Sequence, residues 1–347
     1  MKTTLLSVLS IGTVAHLMYR RKQFKTASKK DLIGNPLLLP PNQDVVWTPC
    51  LSPSGKKIVL VCGDLTRKSV FLADYPVKDQ DDYRLIKSFD NCYKIDGISV
   101  YEGREETRIA FRETHFQSDT VLSGIQTPEQ WKNACRDHGV KDNSFTSSIL
   151  VVDSDGNQTV IGETLASLKE SLTASSTWQD EKTLWFFDKE SQTLSRFDLD
   201  SGDKKVLSSD ELHPLTRIQQ ISYNTKLNEL TALDIDQQIA KIDPLDFHVE
   251  LTSLDLDTRS IDKRGALCLD SNGESVVLQG DNEIVRYKFE DLSRSILKIK
   301  DRYSTNFRIA TVSSRSSSGI AILVYPTIDR FEKNKAFTTE SRTLKIP

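Results

Sequence analysis

Along most of this chain, apolar runs of about five residues alternate with short polar turns, and the clearest example is 182–209. Thr183, Leu184, Trp185, Phe186 and Phe187 form a run closed by Asp188. A run that is largely apolar, aromatic and bounded by turn residues predicts a strand buried on both faces. Residues 189–192 make a polar turn, and Phe197, Asp198 and Leu199 then alternate as a half-exposed strand does. Residues 200–203 supply a second turn, in which Gly202 can take a positive φ and the Asp side chains can bond nearby amides. Lys204-Lys205-Val206-Leu207 reads as a charged outer strand, and charge at an edge discourages pairing with another chain. With a preceding strand at 171–178, these strands make one four-stranded unit.

The same order recurs. A first unit comprises 45–51, 57–64, 68–75 and 83–89, and a second comprises 97–101, 107–113, 147–153 and 158–162. A fourth takes 217–223, 229–234, 238–242 and 248–253, and a fifth 265–270, 274–280, 283–289 and 295–300. The last and least regular runs from Phe307 through 320–325 to 343–346. Four-stranded units repeating every ~45 residues predict a β-propeller. The expected fold is therefore all-β: six blades, with seven the alternative if a terminal repeat is atypical.

Leu51-Ser52-Pro53-Ser54-Gly55-Lys56-Lys57-Ile58 resembles the S-P-D-G-K-x-I turn of TolB-like and WD40-like propeller repeats, with Ser54 where Asp is usual. Ser271-Asn272-Gly273-Glu274 is a fainter copy. The resemblance implies the architecture and no particular chemistry, because propellers host unrelated functions.

Charge divides the chain into a basic start and an acidic remainder. Residues 1–30 hold seven Lys or Arg and no acid, so a net charge of −3 leaves about −10 on the rest. That balance argues against nucleic acid as a partner of the propeller. Residues 5–19 are apolar with Ser7, Ser10, Thr13 and His16 interspersed, and Arg20-Arg21-Lys22 follows at once. Three readings of residues 1–22 compete: a short signal anchor giving a membrane contact, an organellar presequence, and a cleaved secretory signal ending at Ala15. The basic flank places an anchored propeller on the cytoplasmic or mitochondrial matrix side. Residues 23–43 read as a tether, basic at first and then extended through Asn35-Pro36-Leu37-Leu38-Leu39-Pro40-Pro41, which leaves 44–347 as the propeller domain. The five cysteines show no paired spacing, and Cys50, Cys62 and Cys268 fall in predicted strands as small buried hydrophobes.

Two features are candidates for function. An insertion at 115–145 splits the second unit, and within it Thr127-Pro128-Glu129-Gln130 has the residues of a capped helix start. Trp131, Ala134, Cys135 and His138 would share one face of that helix, making Trp131, Cys135 and His138 the candidate partner-binding residues. The second feature is a set of acids at second-strand ends: Asp64, Asp188, Asp234 and Asp281. These should meet around one mouth of the channel, on the insertion's face. Such a carboxylate ring could hold Ca²⁺ or Mg²⁺ as in metal-dependent lactonases and esterases, although Asp is also a favoured turn residue. On the turn reading the carboxylates are uncompensated, and Asp188→Asn or Asp234→Asn has little effect on folding. Asp153-Ser154-Asp155-Gly156-Asn157 begins like a calcium loop but lacks the distal Glu, and it fits a hairpin turn better. There is no P-loop, no strand–GxGxxG–helix and no G-x-S-x-G elbow. The expected function is a membrane-tethered protein-interaction scaffold without a cofactor; the alternative is the metal-dependent hydrolase.

Overall fold

The computed structural model describes residues 34–346, apart from 105, 117–123, 126, 138–144, 165–173, 190, 209, 213–214, 216–217, 235–237, 253–266, 280–282, 292, 299–307, 316–317 and 327–338. The apolar segment and its basic flank lie outside the described residues. Among those described, no helix is long and apolar enough to cross a membrane.

A two-residue strand, β1 (Asn35–Pro36), comes first in the chain, and six antiparallel four-stranded sheets account for every described strand. Blade 1 is β2 (Val46–Leu51), β3 (Lys57–Gly63), β4 (Lys68–Asp74) and β5 (Arg84–Phe89). Blade 2 is β6 (Cys92–Glu102), β7 (Thr107–Phe116), β8 (Phe145–Asp153) and β9 (Gln158–Thr164). Blade 3 is β10 (Ser175–Trp178), β11 (Thr183–Asp188), β12 (Thr193–Asp198) and β13 (Lys204–Leu207). Blade 4 is β14 (Ile218–Asn224), β15 (Glu229–Asp234), β16 (Ile239–Ile242) and β17 (Val249–Thr252). Blade 5 is β18 (Leu267–Leu269), β19 (Ser275–Gln279), β20 (Glu283–Lys288) and β21 (Arg294–Lys298). Blade 6 is β22 (Arg308–Arg315), β23 (Ser318–Pro326) and β24 (Thr339–Ile346), completed on its outer edge by β1. The count is six.

Apolar second strands follow from the packing of blades face to face. Side chains alternate across a strand, so a blade between two others must bury both faces. In β3, Val59 and Val61 pack into the seam with blade 2, while Ile58, Leu60 and Cys62 pack into the seam with blade 6. In β11, Leu184 and Phe186 face blade 2 and Trp185 and Phe187 face blade 4. The run Thr183–Asp188 is buried at every position, as its composition requires.

The first strands are a different case, because their inner edges converge on the axis and have no strand to pair with. Unpaired buried amides and carbonyls are costly, and hydroxyls from the adjacent first strand answer many of them. Thr177 Oγ1 accepts from Tyr223 N at 2.9 Å, Ser175 Oγ from Ile221 N at 3.0 Å, and Thr311 Oγ1 from Leu51 N at 3.2 Å. Thr48 Oγ1 donates to Ile95 O at 3.1 Å. Ser and Thr in these strands therefore link neighbouring blades. The two copies of the turn motif close hairpins on one face, and Ser271 Oγ of the second donates to Ser52 O of the first at 3.2 Å.

Several boundaries differ from the sequence reading, and one bears on the insertion: β7 runs on to Phe116 and β8 begins at Phe145, which leaves 117–144 between them and not 115–145. The second blade begins at Cys92, five residues before Gly97, because β6 crosses an irregularity between Asp96 and Ser99. Gly97 sits there with φ 64°, and a Cβ on it would come within 2.8 Å of Ala174 Cβ. The tether also contributes a strand. Asn35 pairs with Thr343 and Pro36 with Arg342, Leu37 N donates to Ser341 O at 2.9 Å, and Tyr83 Oη donates to Leu38 O at 2.9 Å. Leu37 is buried among residues of blades 6 and 1, so residues 34–38 join the first blade to the last.

Candidate functional site

Antiparallel pairing brings all second-strand ends to one face, together with the blade-to-blade connections and the insertion. Asp64 lies there, just after β3. Its Oδ1 accepts from Thr66 N (2.7 Å), Arg67 N (2.7 Å) and Thr66 Oγ1 (3.0 Å), a turn-closing pattern. Its Oδ2 accepts from Gly124 N at 3.1 Å, and Leu65 N donates to Ile125 O at 3.0 Å. The Asp64 turn of blade 1 thus holds the insertion of blade 2, which places both on the face the sequence assigned to them.

The insertion carries one helix among the described residues, α1 (Pro128–Asp137). It starts where the capping residues predict: Gln130 N donates to Thr127 Oγ1 at 3.2 Å, and Thr127 N donates to Gln130 Oε1 at 3.0 Å. Trp131 then turns onto the blade. Its ring centroid lies 5.1 Å from Phe116 and 6.0 Å from Tyr93, and Phe145 packs edge-on to Tyr93 at 5.7 Å. Ile125, Leu65 and Ala134 complete this cluster. Trp131 therefore fastens the helix to the blade, and α1 stands on an aromatic base of its own. His138 lies outside the described residues. Cys135 lies within α1, and the structure describes nothing of its side chain.

The acids at strand ends do not form a ring of free carboxylates. Asp188 is buried, its Oδ1 accepts from Arg112 Nη1 at 3.0 Å, and its Oδ2 accepts from Ser191 Oγ at 3.1 Å. Asp234 is fully buried and its Oδ1 accepts from Gln238 N at 2.9 Å. Asp281 lies outside the described residues. Among the described residues no three of His, Cys, Asp and Glu come together in a way that could hold a metal ion. The oxygens of Asp64 are taken by backbone amides and the Thr66 hydroxyl and Asp188 faces a guanidinium, so these two do not offer the converging free oxygens that Ca²⁺ or Mg²⁺ needs. The compensation of Asp188 removes the premise, an uncompensated carboxylate, on which its replacement was expected to be nearly neutral.

Arg112 is the residue that sequence reasoning missed. It is fully buried on β7, with Nε and Nη2 on the two oxygens of Asp96 at 2.9 and 3.1 Å and Nη1 on Asp188. Lys94 Nζ reaches Asp96 Oδ2 at 2.7 Å, and Ala174 N donates to the same oxygen at 3.3 Å. Burial alone would raise the Asp96 pKa, but Arg112 and Lys94 outweigh it and hold the carboxyl below its usual range. The same fold end buries Lys68, whose Nζ donates to Asp64 O and stands 4.5 Å over the Trp47 ring. Burial brings its pKa down to about 8, against the opposing pull of Cys92 and Asp64. A charged residue inside an apolar-looking strand, as in IAFRET, is the signal that could have pointed to Arg112.

The remaining predictions about polar features hold. Asp153 closes a hairpin, its Oδ1 accepting from Asp155 N at 2.8 Å and Asn157 N at 2.9 Å. Cys50, Cys62 and Cys268 are free and buried, and burial pushes each thiol up to about 12.

No protein-family model matches the chain, and no curated protein is similar to it in sequence. Among solved structures it is similar to a chain described as "Crystal structure of Nidogen/Laminin Complex", with 9% identity and a TM-score of 0.48. The match covers 83% of this chain and 98% of that one. At that identity nothing about the partners of that complex transfers to this chain.

Proposed function

We propose that this chain is a protein-interaction scaffold that presents its insertion face to a protein partner. The observation that carries the reading is the fixed placement of α1. A ten-residue helix that blade pairing does not require is capped, preceded by residues 124 and 125 that bond to Asp64 and Leu65 of blade 1, and packed through Trp131 on a base of three blade rings. A pre-positioned helix binds at a lower ordering cost than one that must fold on its partner. Residues 1–22 would tether the scaffold to a membrane, with support from the apolar stretch 5–19 and the abrupt basic flank Arg20-Arg21-Lys22.

The test replaces 117–144 with Asn-Gly between the paired residues Phe116 and Phe145, with Tyr93→Thr and Phe145→Thr added to keep the uncovered face polar. The variant is expected to keep the strand signal and compact size of the parent and to lose the proteins that the parent recovers in an isotope-quantified pull-down. An unchanged set of recovered proteins would overturn the reading. For the tether, carbonate extraction should leave the full chain in the membrane pellet and release one lacking 1–22. A full-length chain in the supernatant would remove the anchor, and a shortened soluble chain would mark 1–22 as a cleaved targeting segment.

A further inference from the structure

His115 lies near the end of β7, one residue before the aromatic base of the insertion begins at Phe116. Its Nδ1 is 3.1 Å from the carbonyl oxygen of Asp90, in the connection between β5 and β6. A carbonyl oxygen can only accept, so Nδ1 carries a proton. Its Nε2 is 2.9 Å from Glu113 Oε2. That oxygen is buried and, among the described residues, has no hydrogen-bond donor unless Nε2 supplies one. Both ring nitrogens therefore face acceptors, and only the imidazolium satisfies both.

We propose that His115 is a pH-sensitive catch that fastens the root of the insertion to the connection between blades 1 and 2. The groups around it are consistent with a held charge. The Asp90 carboxylate ion-pairs with Arg67 Nε at 3.3 Å. Across the β6 pairing the opposing residue is Cys92, a buried thiol that also feels Lys68 and Glu113; across the β8 pairing it is the uncharged Thr146. The Phe89 ring lies edge-on to the imidazole at 6.1 Å. Next along the chain, Phe116 N donates to Asn91 O at 3.1 Å, and its ring supports Trp131. Loss of the proton would set a lone pair against the Glu113 carboxylate in a half-buried site and loosen the hold on the 90–91 connection.

The direction of the titration follows from the surroundings. Burial works to lower the His115 pKa, but the hydrogen bond and charge of Glu113, with the Asp90 carbonyl, outweigh it and the net shift is upward. A folded pKa above the unfolded one gives a stabilisation fully present below about 6.5 and lost as pH rises through the folded value. The catch is thus closed below about 6.5 and opens as the pH rises through the folded value. Its effect on partner binding rests on the insertion-face reading; the catch itself does not.

The test is an imidazole nitrogen titration by NMR on the full chain in detergent micelles, with the His115 signals assigned by their loss in His115→Gln. The expected midpoint lies above 6.5, and Glu113→Gln should bring it down to 6.5 or below. Hydrogen exchange of the Phe116 and Trp131 amides, corrected for the intrinsic pH effect, should speed up above the midpoint, by up to about tenfold for each unit by which the pKa is raised. The same exchange in Glu113→Gln should show no such step. A wild-type midpoint at or below 6.5, a midpoint unmoved by Glu113→Gln, or exchange that is flat across the titration would each overturn the catch. Partner recovery that failed while the titration behaved as expected would count against the scaffold reading alone.

Discussion

On the insertion face, Asp188 is buried against Arg112, which also grips Asp96 and so ties the first two strands of blade 2 to the end of the second strand of blade 3. On the opposite face, Asp198 sits at the surface and turns its Oδ1 to Asp200 N and Ser201 N at 3.0 and 2.9 Å, inside its own hairpin. Asp180 does the same in the other hairpin of blade 3 on that face, as do Asp243 in blade 4 and Asp291 in blade 5. One residue type thus has two jobs. Where the fold buries a carboxylate, it is desolvated and needs a cation or several amides. Where a tight hairpin leaves it in water, it shapes the turn and little else. Burial and not the face decides the role: in the blade 5 hairpin on that opposite side Asp270 is fully buried, with Arg286 Nη2 at 3.8 Å and Ser275 Oγ donating to it.

Three substitutions would break or sharpen this contrast. The largest effect is expected for Arg112→Met, which leaves Asp96 and Asp188 buried without their shared guanidinium. Removing one member of a buried ion network typically costs about 3–5 kcal/mol, and urea unfolding should show a loss of that order. A midpoint within error of the parent would mean that the network is relaxed by solvent. Trp131→Ala comes next: the ring is half-buried, so a loss of about 2 kcal/mol is expected, below the range for a fully buried aromatic. The same variant should uncap the cluster, and proteolysis should then cut within 117–144 while the blades stay intact. Resistance equal to the parent would show that α1 is held by something other than its aromatic base. The smallest effect belongs to the opposite face. Lys182 pairs with Asp200 at an exposed hairpin, and Lys182→Ala should leave the melting temperature unchanged. A clear drop would erase the distinction between buried and solvated acids.

Much of the architecture was legible because blade packing writes itself into composition. A second strand squeezed between two blades must be apolar at successive positions, and Thr183–Asp188 displays that plainly. The outer strand Lys204–Leu207 is equally plain, since water on one side permits its lysines. The capped start of α1 was legible for a local reason: a Thr and a Gln three residues apart bond each other's backbone. What escaped depends on distant partners. The strand Asn35–Pro36 pairs with residues some 300 positions away, and nothing in a Pro-containing segment announces an edge strand. The irregularity around Gly97 answers to Ala174, in another blade. Asp64, Asp188 and Asp234 do stand at or just after second-strand ends, but their surroundings depend on Arg112 and on amides of the turns. Strand-end Asp reads alike whether it is solvated, capped or ion-paired.

The central claim is that α1 belongs to the folded propeller as a fixed platform and does not merely rest near it. Hydrogen exchange of the α1 amides in the full chain tests this directly. The account predicts protection of Trp131 and its helical neighbours approaching that of the β8 amides on which the insertion is rooted. Exchange at the rate of an unfolded peptide, with β8 still protected, would contradict it.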